Sequence, residues 1–504
     1  MRLSEGKRTT LAHSRAMLVT VLLVFSMAAG PKASAFGFDL FGDDSSTDTT
    51  RSIENRLAGL EDANAVDNAL QSQVLAFYQA RDYRPAWTGS DRTQQWAKRV
   101  RYTLQHAYEQ GLRPSDYKTL LPDSDAAQES GDAAAAYDIA MSTALLRYSH
   151  DVRAGRFAPG DVYKDVDLPP QRFDAARQLN SALRHNALDD FLDSLPPAHA
   201  EYRGLVAALA RYRGMAERGE KPDGDTSKSV SYRMKQIAAN MERWRWMPAV
   251  VERRYIQVDV PDQELDYVRD GQIVLQSRVV IGRRATPTPI LRTVVQAVIA
   301  NPAWDIADDI AIRQILPRIR ASHDYLATHD ITFENGQFHQ APGPHNALGL
   351  LMLDAPNPFW VYMHDTPDKK LFSLETREYS NGCVRVEQIF PLASLALTDD
   401  ADAGSDSLNQ AIASGQTEQL LLPDPLAVYM VYWTARADED GTVEFHPDRY
   451  GRDTLLIAKL GLGAPVAAKK RVATVPARSK SRPAITLRPV SLEIPAGHGE
   501  GRSH

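Results

Sequence analysis

Apolar positions along the chain follow two different periods, and the change falls near residue 250. Between residues 66 and 220, apolar side chains recur every three or four positions, as at Ala69, Leu70, Val74 and Phe77. This spacing places them on one face of a helix. Prolines and glycines interrupt the pattern at short intervals, which predicts breaks between helices. The segment 66–220 is therefore predicted to be an α-helical domain of several short helices.

After a polar, linker-like stretch that starts at residue 221, the spacing becomes that of β-strands. Strands are predicted at 254–260, 272–281, 294–299, 349–353, 360–363, 426–434 and 442–445, with helices at 234–246, 309–320 and 389–397. A polar segment from about 305 to 345, rich in His, Asn, Gly and Pro, is predicted to be an insertion. The fold class is therefore predicted to be α+β, with a mainly-β second domain over 221–462.

The first 35 residues have the composition of a signal peptide. Four basic residues precede an apolar run at 16–29, and Ala33, Ser34 and Ala35 form a small-residue site that a signal peptidase could cut. An uncleaved membrane anchor is the alternative, but the run is shorter than the roughly 20 apolar residues that span a bilayer. We therefore expect residues 1–35 to be removed, the mature protein to be exported, and no membrane span to remain.

Two further segments contain too few large apolar residues to fold alone. Residues 36–65 are polar and acidic, and they are predicted to be a disordered linker. Residues 463–504 carry Lys and Arg among Ala, Pro and Ser, and they are predicted to be a disordered basic tail. The charge of this tail could attract an acidic polymer or lipid headgroups, although a solvated tail is the favoured interpretation.

Length and charge narrow the class of protein. At 504 residues the chain is long enough for about two or three folded units. Its formal net charge of −6 gives no reason to expect nucleic acid as a partner. A single cysteine cannot supply a zinc site of the Cys/His type, so no such metal site is expected.

The only cysteine in the sequence, Cys383, lies 383 − 364 = 19 residues after His364. A short strand at 361–363 and a returning loop could bring the two side chains together. A thiol beside an imidazole forms a nucleophile and its base, because the thiolate is the reactive form. In an oxidising compartment a single cysteine cannot form an internal disulfide, so its retention favours a chemical role.

The alternative for Cys383 is a small buried hydrophobe, as many unpaired cysteines are. The residues around it oppose that interpretation. Gly382 permits close approach of the backbone to a ligand, and Ser380, Asn381 and Arg385 surround the thiol with polar groups. Cys383 is therefore predicted to lie in a functional site.

These segments resemble the L,D-transpeptidases with a YkuD-type catalytic domain, specifically the large periplasmic members that carry an N-terminal helical scaffold domain. The resemblance is strongest in Val-Tyr-Met-His-Asp-Thr-Pro at 361–367 and Ser-Asn-Gly-Cys-Val-Arg at 380–385. Weaker matching segments lie at 77–87, 240–248, 279–287, 301–304 and 342–349. Together they span most of the chain, from about residue 77 to residue 460.

The resemblance implies an enzyme that forms 3-3 cross-links in periplasmic peptidoglycan. Such enzymes attack the carbonyl of the third residue of a tetrapeptide stem, usually meso-diaminopimelate, and release the terminal D-Ala. They then pass the acyl group to the side-chain amine of another stem. No metal or organic cofactor is implied, and the expected partners are peptidoglycan stem peptides and other cell-wall synthesis proteins. The insertion at about 305–345 is expected to be a capping subdomain over the cleft.

The resemblance also assigns roles to individual residues. Cys383 is expected to form a thioester, and His364 is expected to take its proton and return it to the leaving amine. The backbone carbonyl of Asp365 is expected to orient the imidazole. Backbone N–H groups of Gly382 and Cys383 are expected to form an oxyanion hole. Arg385 is expected either to bind a substrate carboxylate or to brace the loop through an internal ion pair.

Three further residues, Ser380, Asn381 and Tyr362, are expected to contact the substrate. Asn381 stands where many family members carry His, so this motif has no second titrating base. His339 stands where Arg is expected, which puts an anion contact at that position in doubt.

Two alternatives to transpeptidation stay open. An L,D-carboxypeptidase or endopeptidase would use the same cysteine and give the acyl group to water. A non-catalytic wall-binding protein would keep the fold without the chemistry, although the presence of both Cys383 and His364 disfavours it. The segment 213–231 leaves no room for a separate peptidoglycan-binding module, so docking would depend on the helical domain, the basic tail or the cleft.

Overall fold

The computed structural model describes residues 44–62, 69–121, 131–221, 227–398 and 401–463. The predicted signal peptide and nearly all of the predicted basic tail lie outside the described residues. Within the described residues, no helix is both long enough and apolar enough to cross a membrane.

The N-terminal part of the described chain is helical, as predicted. Its helices are α1 (Asp44–Asp62), α2 (Ala69–Gln79), α3 (Asp91–Gln105), α4 (Ser115–Lys118), α5 (Asp132–Ala154), α6 (Pro159–Val162), α7 (Ala175–Arg184), α8 (Leu188–Asp193) and α9 (Ala200–Arg218). Large side chains from this region, including Phe77, Tyr78, Trp87 and Leu145, are fully buried in one core. Burial of such aromatic and aliphatic surface is the main stabilising term for these short helices.

The prediction of a disordered linker over 36–65 is wrong for residues 44–62, which form α1. Ile53 and Leu57 lie one helical turn apart, are at most 1% exposed, and pack into the helical core. Composition alone does not predict this helix, because its few apolar residues form a single stripe among acidic and hydroxyl side chains. The rest of the predicted linker lies outside the described residues.

The second part of the chain is mainly β, as predicted. The strands of the structure are β1 (Val166–Asp167), β2 (Arg254–Asp259), β3 (Glu264–Arg269), β4 (Gln272–Gly282), β5 (Ile290–Ala300), β6 (Trp304–Ile306), β7 (Ile331–Glu334), β8 (Gln337–Gln340), β9 (Leu351–Asp354), β10 (Met363–His364), β11 (Glu378–Ser380), β12 (Val384–Val386), β13 (Glu418–Val431), β14 (Ala435–Ala437) and β15 (Val443–Phe445). The remaining helices are α10 (Val230–Arg245), α11 (Asp308–Ile310), α12 (Leu316–Ala321), α13 (Tyr325–Thr328), α14 (Ile389–Leu397), α15 (Ala401–Ala413) and α16 (Arg452–Lys459).

The main sheet closes on itself. Strands β5, β13, β2, β3, β4, β12, β10 and β9 pair in that order, and β9 pairs in turn with β5. Alternate residues of each strand point inward, so Val258, Val279, Val298 and Val428 are fully buried in a common core. This core fixes the positions of the two short strands β10 and β12, which carry the site described below.

The predicted insertion at about 305–345 is a small subdomain with its own core. Strands β6, β8 and β7 form a separate three-stranded sheet, and Ile306, Ile315 and Phe338 pack between it and the helices of the insertion. The helix predicted at 309–320 is interrupted, since a π-helical turn at Ala311–Ile315 separates α11 from α12. Such turns often occur at functional sites.

The helical region and the sheet share contacts beyond the predicted boundary at residue 220. Strand β1 pairs in parallel with the start of β5, through Val166 and Ile290. Helix α9 contributes Tyr202 and Leu209 to a buried cluster that also contains Trp433. The boundary itself stays a prediction, but residues on its N-terminal side complete the packing of the sheet.

Candidate active site

The pairing of β10 with β12 places the candidate nucleophile and base on one face of the sheet. The two strands are parallel, with Met363 opposite Val384 and His364 opposite Arg385. Met363 and Val384 are fully buried in the core, so their neighbours along each strand project from the other face. Cys383 precedes Val384 and therefore joins His364 and Arg385 on that outer face.

This face is the floor of a cleft of about 420 Å³. The insertion supplies the opposite wall, as expected for a capping subdomain. The floor contributes His364, Thr366, Pro367, Asp368, Ser380, Asn381, Cys383 and Arg385, and the insertion contributes Trp304, Ile310, Gln314, Ile315, Arg318, Tyr325, His329, Ile331 and Gln340. The cleft is large enough for a peptide segment and has both candidate catalytic side chains in its lining.

Cys383 is half-buried, and its sulfur receives a backbone hydrogen bond. The Tyr362 N–H donates to Sγ at 3.5 Å. Burial raises the pKa of the Cys383 thiol, while the Tyr362 N–H and the Arg385 charge partly oppose that rise. The resting group at neutral pH is therefore the thiol, which needs a base before it can attack.

The buried imidazole of His364 is held by a backbone carbonyl. Its Nδ1 lies 2.5 Å from the Asp365 carbonyl oxygen, as the sequence resemblance implied. Because a carbonyl only accepts, Nδ1 carries the proton and Nε2 keeps its lone pair. Burial and, to a lesser extent, the Arg385 charge lower the pKa of His364 to about 4, although the carbonyls of Asp365 and Leu348 partly oppose this change. At neutral pH the imidazole is uncharged and can act as a base.

The candidate nucleophile and base are a neutral thiol and a neutral imidazole rather than a preformed ion pair. Both His364 and Cys383 line the cleft, yet no hydrogen bond joins them among the residues that the structure describes. Catalytic hydrogen bonds are often long in the absence of substrate and shorten when it binds. The arrangement therefore fits general-base activation of the thiol during attack.

The side chain of Asp365 has a structural role that the sequence did not indicate. One carboxylate oxygen accepts the Leu350 N–H at 2.9 Å, and the other pairs with the Lys369 ammonium group. Gly349 adopts φ +67°, and a Cβ there would lie 2.4 Å from the Asp365 carboxylate. The close turn around this carboxylate fixes the backbone that carries the His364-orienting carbonyl.

The expected oxyanion role of Gly382 stays a prediction, and its backbone N–H has another partner in the structure. Its N–H donates to Ser380 Oγ at 3.1 Å, so this donor is already engaged. Tyr362, which was expected to bind substrate, instead offers a backbone N–H beside the sulfur, and the N–H of Cys383 also faces its own Sγ. The structure thus favours the backbone N–H groups of Tyr362 and Cys383 as oxyanion donors. Substrate contact by the Tyr362 phenol stays a prediction.

Ser380 was expected to bind substrate, and its hydroxyl contacts show another role. The side chain is 3% exposed, and Oγ donates to the Cys383 carbonyl at 2.5 Å while accepting the Gly382 N–H. Both hydrogen-bonding directions of the hydroxyl are thus satisfied within the loop. Ser380 lies at the edge of the cleft but braces the nucleophile.

A second brace comes from Thr288, which sequence reasoning missed. Its fully buried hydroxyl donates to the Gly382 carbonyl at 2.8 Å and accepts the Gly282 N–H at 2.9 Å. The Tyr450 hydroxyl donates to the Gly282 carbonyl at 2.7 Å. Arg452 donates to the Thr288 carbonyl at 3.3 Å and pairs with Asp165 of the helical region. Only the position of Thr288, six residues after the end of β4, hinted at this contact.

Asn381 connects the nucleophile loop to the capping subdomain. Its Oδ1 accepts a hydrogen bond from Gln314 Nε2 at 2.9 Å and another from the Arg283 guanidinium. Gln314 belongs to the π-helical turn, so this irregular turn places an amide against the loop. This position therefore carries an amide oxygen that accepts hydrogen bonds, in place of an imidazole that can titrate. Contact of Asn381 with the substrate stays a prediction.

Arg385 has contacts that fit the expected bracing role, and its binding of a substrate carboxylate stays a prediction. It donates to Thr366 Oγ1 at 3.4 Å and lies 4.0 Å from the Asp368 carboxylate, which is a weak brace. Its Nε is buried and has no hydrogen-bond partner among the described residues, and the side chain lines the cleft. His339 does not line the cleft, because its ring pairs with Asp305 of β6 at 2.6 Å.

Comparison with known proteins agrees with this geometry. Residues 253–402 match the L,D-transpeptidase catalytic domain family, and residues 72–209 match a scaffold domain family. The chain carries an L,D-transpeptidase catalytic domain. The candidate catalytic residues His364 and Cys383 and the predicted cap fall inside the matched segment.

A relative of this chain occurs in Haemophilus influenzae under the name "Putative L,D-transpeptidase". It is 28% identical over 413 residues, which cover 77% of this chain and 80% of the relative. A solved L,D-transpeptidase from Mycobacterium smegmatis matches 36% of this chain and 58% of its own, at 14% identity and a TM-score of 0.20. A mutant L,D-transpeptidase from Enterococcus faecium matches 41% and 64%, at 13% identity and a TM-score of 0.19. The match spans less than two thirds of either solved chain.

Proposed function

We propose that this protein is a peptidoglycan L,D-transpeptidase that forms 3-3 cross-links through a thioester on Cys383. The observation that supports it most is the shared cleft of Cys383 and His364, with the imidazole proton held on Nδ1 by the Asp365 carbonyl. That arrangement leaves Nε2 available to receive the thiol proton. The substrate would be a tetrapeptide stem with a scissile bond between its third residue and a terminal D-Ala.

In the first half of the reaction, His364 Nε2 takes the proton of Cys383 while Sγ bonds to the carbonyl carbon of the third stem residue. The negative charge on the former carbonyl oxygen is stabilised by the backbone N–H groups of Tyr362 and Cys383, at roughly 3 kcal/mol for each donor. The carbon–nitrogen bond to D-Ala then breaks, and His364 returns the proton to the departing amine. The products are free D-Ala and a thioester on Cys383.

In the second half, the side-chain amine of another stem attacks the thioester. His364 accepts a proton from that amine, the carbon–sulfur bond breaks, and the proton passes to the sulfur. The result is an amide cross-link and a regenerated thiol. Water in place of the amine would give a tripeptide, which is the carboxypeptidase reaction, so acceptor binding decides between the two outcomes.

We further propose that the reaction takes place in the periplasm, after removal of residues 1–35. The basic and apolar pattern of that segment supports the proposal. N-terminal sequencing of the protein recovered from a periplasmic fraction would check it, with Phe36 as the expected first residue.

The reaction is tested by incubating the mature protein with disaccharide-tetrapeptide and identifying products by mass spectrometry. Transpeptidation gives a dimer that lacks one D-Ala, whereas tripeptide alone indicates hydrolysis. Intact-protein mass should rise by the mass of the acyl group, and a carbapenem should leave an adduct on the same thiol.

The matched control is Cys383→Ala, which removes the only thiol in the chain. It is expected to abolish both adducts and all turnover, since no other side chain of the cleft can form the thioester. Absence of product and of a carbapenem adduct with the wild-type protein would contradict the enzymatic proposal and favour a wall-binding protein.

A further inference from the structure

The cleft contains more positive than negative side chains. Among the described residues that line it, the arginines are Arg318 and Arg385 and the only carboxylate side chain is that of Asp368. Arg385 is the nearer partner of Asp368, at 4.0 Å. Arg318 forms no ion pair with any carboxylate in the described part of the chain, and its side chain is exposed to the cleft. An arginine in a binding cleft without an acidic partner is available for an anionic ligand.

Arg318 is held in place by a series of contacts within the capping subdomain. Its Nη1 donates to the Tyr325 hydroxyl at 3.0 Å, and its guanidinium carbon lies 5.8 Å from the centre of that ring. Tyr325 packs against the His329 ring with centroids 4.1 Å apart. The His329 carbonyl accepts a hydrogen bond at 2.9 Å from Gln340, which is 3% exposed. The arginine therefore rests on a chain of packed groups that ends in the subdomain interior.

These contacts use one of the five N–H donors of the guanidinium. The others can form the paired, nearly parallel hydrogen bonds that a carboxylate accepts from arginine. Preorganisation lowers the entropy lost when such a pair forms, so a fixed arginine binds more strongly than a free one. Phosphate would suit the same donors, but the cleft floor holds a nucleophile for a peptide carbonyl.

We propose that Arg318 binds a carboxylate of the stem peptide and so selects the acyl donor. This inference depends on the proposed function, because that function supplies the peptide. A tetrapeptide donor carries two candidate carboxylates, on the diaminopimelate side chain and at the C-terminal D-Ala. In either case the capping subdomain recognises a carboxylate of the substrate, and the residues of the cleft floor carry out the reaction.

The experiment measures peptide binding to the full chain with Cys383→Ala, so that no turnover interferes. Isothermal titration compares the diaminopimelate tetrapeptide with two analogues. One has L-lysine at the third position, which keeps the amine and lacks the side-chain carboxylate, and the other has a C-terminal carboxamide. One of the two analogues should bind at least about tenfold more weakly than the parent peptide, as loss of a charge-assisted hydrogen-bonded pair requires. The weaker analogue identifies the carboxylate.

Arg318→Gln in the same background should weaken the parent peptide by a similar factor and remove its advantage over that analogue. The matched control is Arg320→Gln, since Arg320 is exposed on the same helix α12 and does not line the cleft. This control should leave the affinities for all three peptides within about twofold of those of the Cys383→Ala protein. Loss of the carboxylate advantage only in Arg318→Gln supports the assignment.

Two results would overturn it, and they differ from each other. If the peptides bind but Arg318→Gln keeps the full preference for the carboxylate, the assignment of Arg318 is wrong and the proposed function stands. If none of the peptides binds while the fold measured by circular dichroism is intact, the proposed function is wrong as well.

Discussion

Two regions of this protein that bury ionisable groups compensate for the burial differently. On α10, Arg243 faces Asp453 at 2.7 Å and Arg245 faces Glu242 at 2.9 Å, with all four side chains at most 2% exposed. In the cleft, the sulfur of Cys383 and the imidazole of His364 share only the nearby charge of Arg385. The first region neutralises burial by pairing opposite charges, and the second leaves two groups in their uncharged forms.

The two arrangements have different consequences for stability and for reactivity. A buried ion pair is costly to break, because removal of one partner leaves an uncompensated charge away from water. It therefore specifies one packing of α10 against α16 and the helical region. The uncharged thiol and imidazole form no such ion pair. Under the proposed function, a proton can therefore move between them when a substrate carbonyl binds.

The largest effect is expected where the ion pair of α10 is broken. Arg243→Met leaves the Asp453 carboxylate buried without its cation, so the free energy of unfolding should fall by about 3–5 kcal/mol. Urea denaturation followed by circular dichroism measures the loss. The double variant Arg243→Met with Asp453→Leu should recover a large part of it. A double variant as unstable as the single one would show that the stranded charge is not the cause.

The next largest effect is expected from removal of His364, the proposed general base. His364→Ala should slow acylation of Cys383 by about a hundredfold or more, because the thiol loses its proton acceptor. Single-turnover mass spectrometry with disaccharide-tetrapeptide gives the rate. The unfolding free energy should fall much less than in Arg243→Met, and a comparable fall in stability would mean that His364 acts mainly through the fold.

A smaller effect is expected from the brace under the nucleophile. Thr288→Val removes the hydroxyl that joins the Gly382 carbonyl to the Gly282 N–H, so the loop is held less firmly. Acylation should slow by about tenfold with little change in KM, since the cleft wall is untouched. Thr288→Ser keeps the hydroxyl and should restore the rate. Equal acylation rates for the Val and Ser variants would show that the Thr288 hydroxyl does not position Cys383.

The sequence predicted the parts of this structure that have regular apolar spacing or a distinctive chemical motif. Helix α14 matches its predicted bounds, and β2, β4 and β5 lie within a few residues of theirs. Strand β3 was not predicted, because its last residue, Arg269, begins the Arg-Asp-Gly sequence at 269–271, which is typical of a turn. The three strands of the cap and α15 were also missed, since short exposed strands and an acidic, Ser-rich helix lack a clear apolar period.

Within the site, the motif predicted the identity of Cys383 and His364 and the orienting carbonyl of Asp365. It could not predict what the polar neighbours bind. A motif gives only residue types, so it does not show whether a serine hydroxyl or a glycine N–H contacts the substrate or the loop. Ser380 and Gly382 proved to bond each other. The contact of Thr288 with Gly382 joins residues 94 positions apart, and only the paired strands bring them together.

The last prediction concerns the pH dependence of the base and the smallest change in rate. A half-exposed histidine with a pKa near 6.5 would be about 97% protonated at pH 5, and acylation would fall by more than tenfold from pH 7 to pH 5. Burial and Arg385 lower the pKa of His364 to about 4, so its neutral form still predominates at pH 5. The rate should therefore change by less than about twofold over that interval and drop only as the pH falls through about 4.

The same shift has a consequence for folding, with a defined sign. The unfolded chain binds a proton at His364 more tightly than the folded chain does, so stability falls as the pH decreases from about 6.5 towards 4. Stopped-flow acylation should be paired with denaturation at each pH, so that loss of base and loss of fold are measured separately. An acid limb near pH 6.5 in a fully folded protein would show that the imidazole is charged like an exposed one. It would then remove the contrast between the uncharged pair of the cleft and the ion pairs of α10.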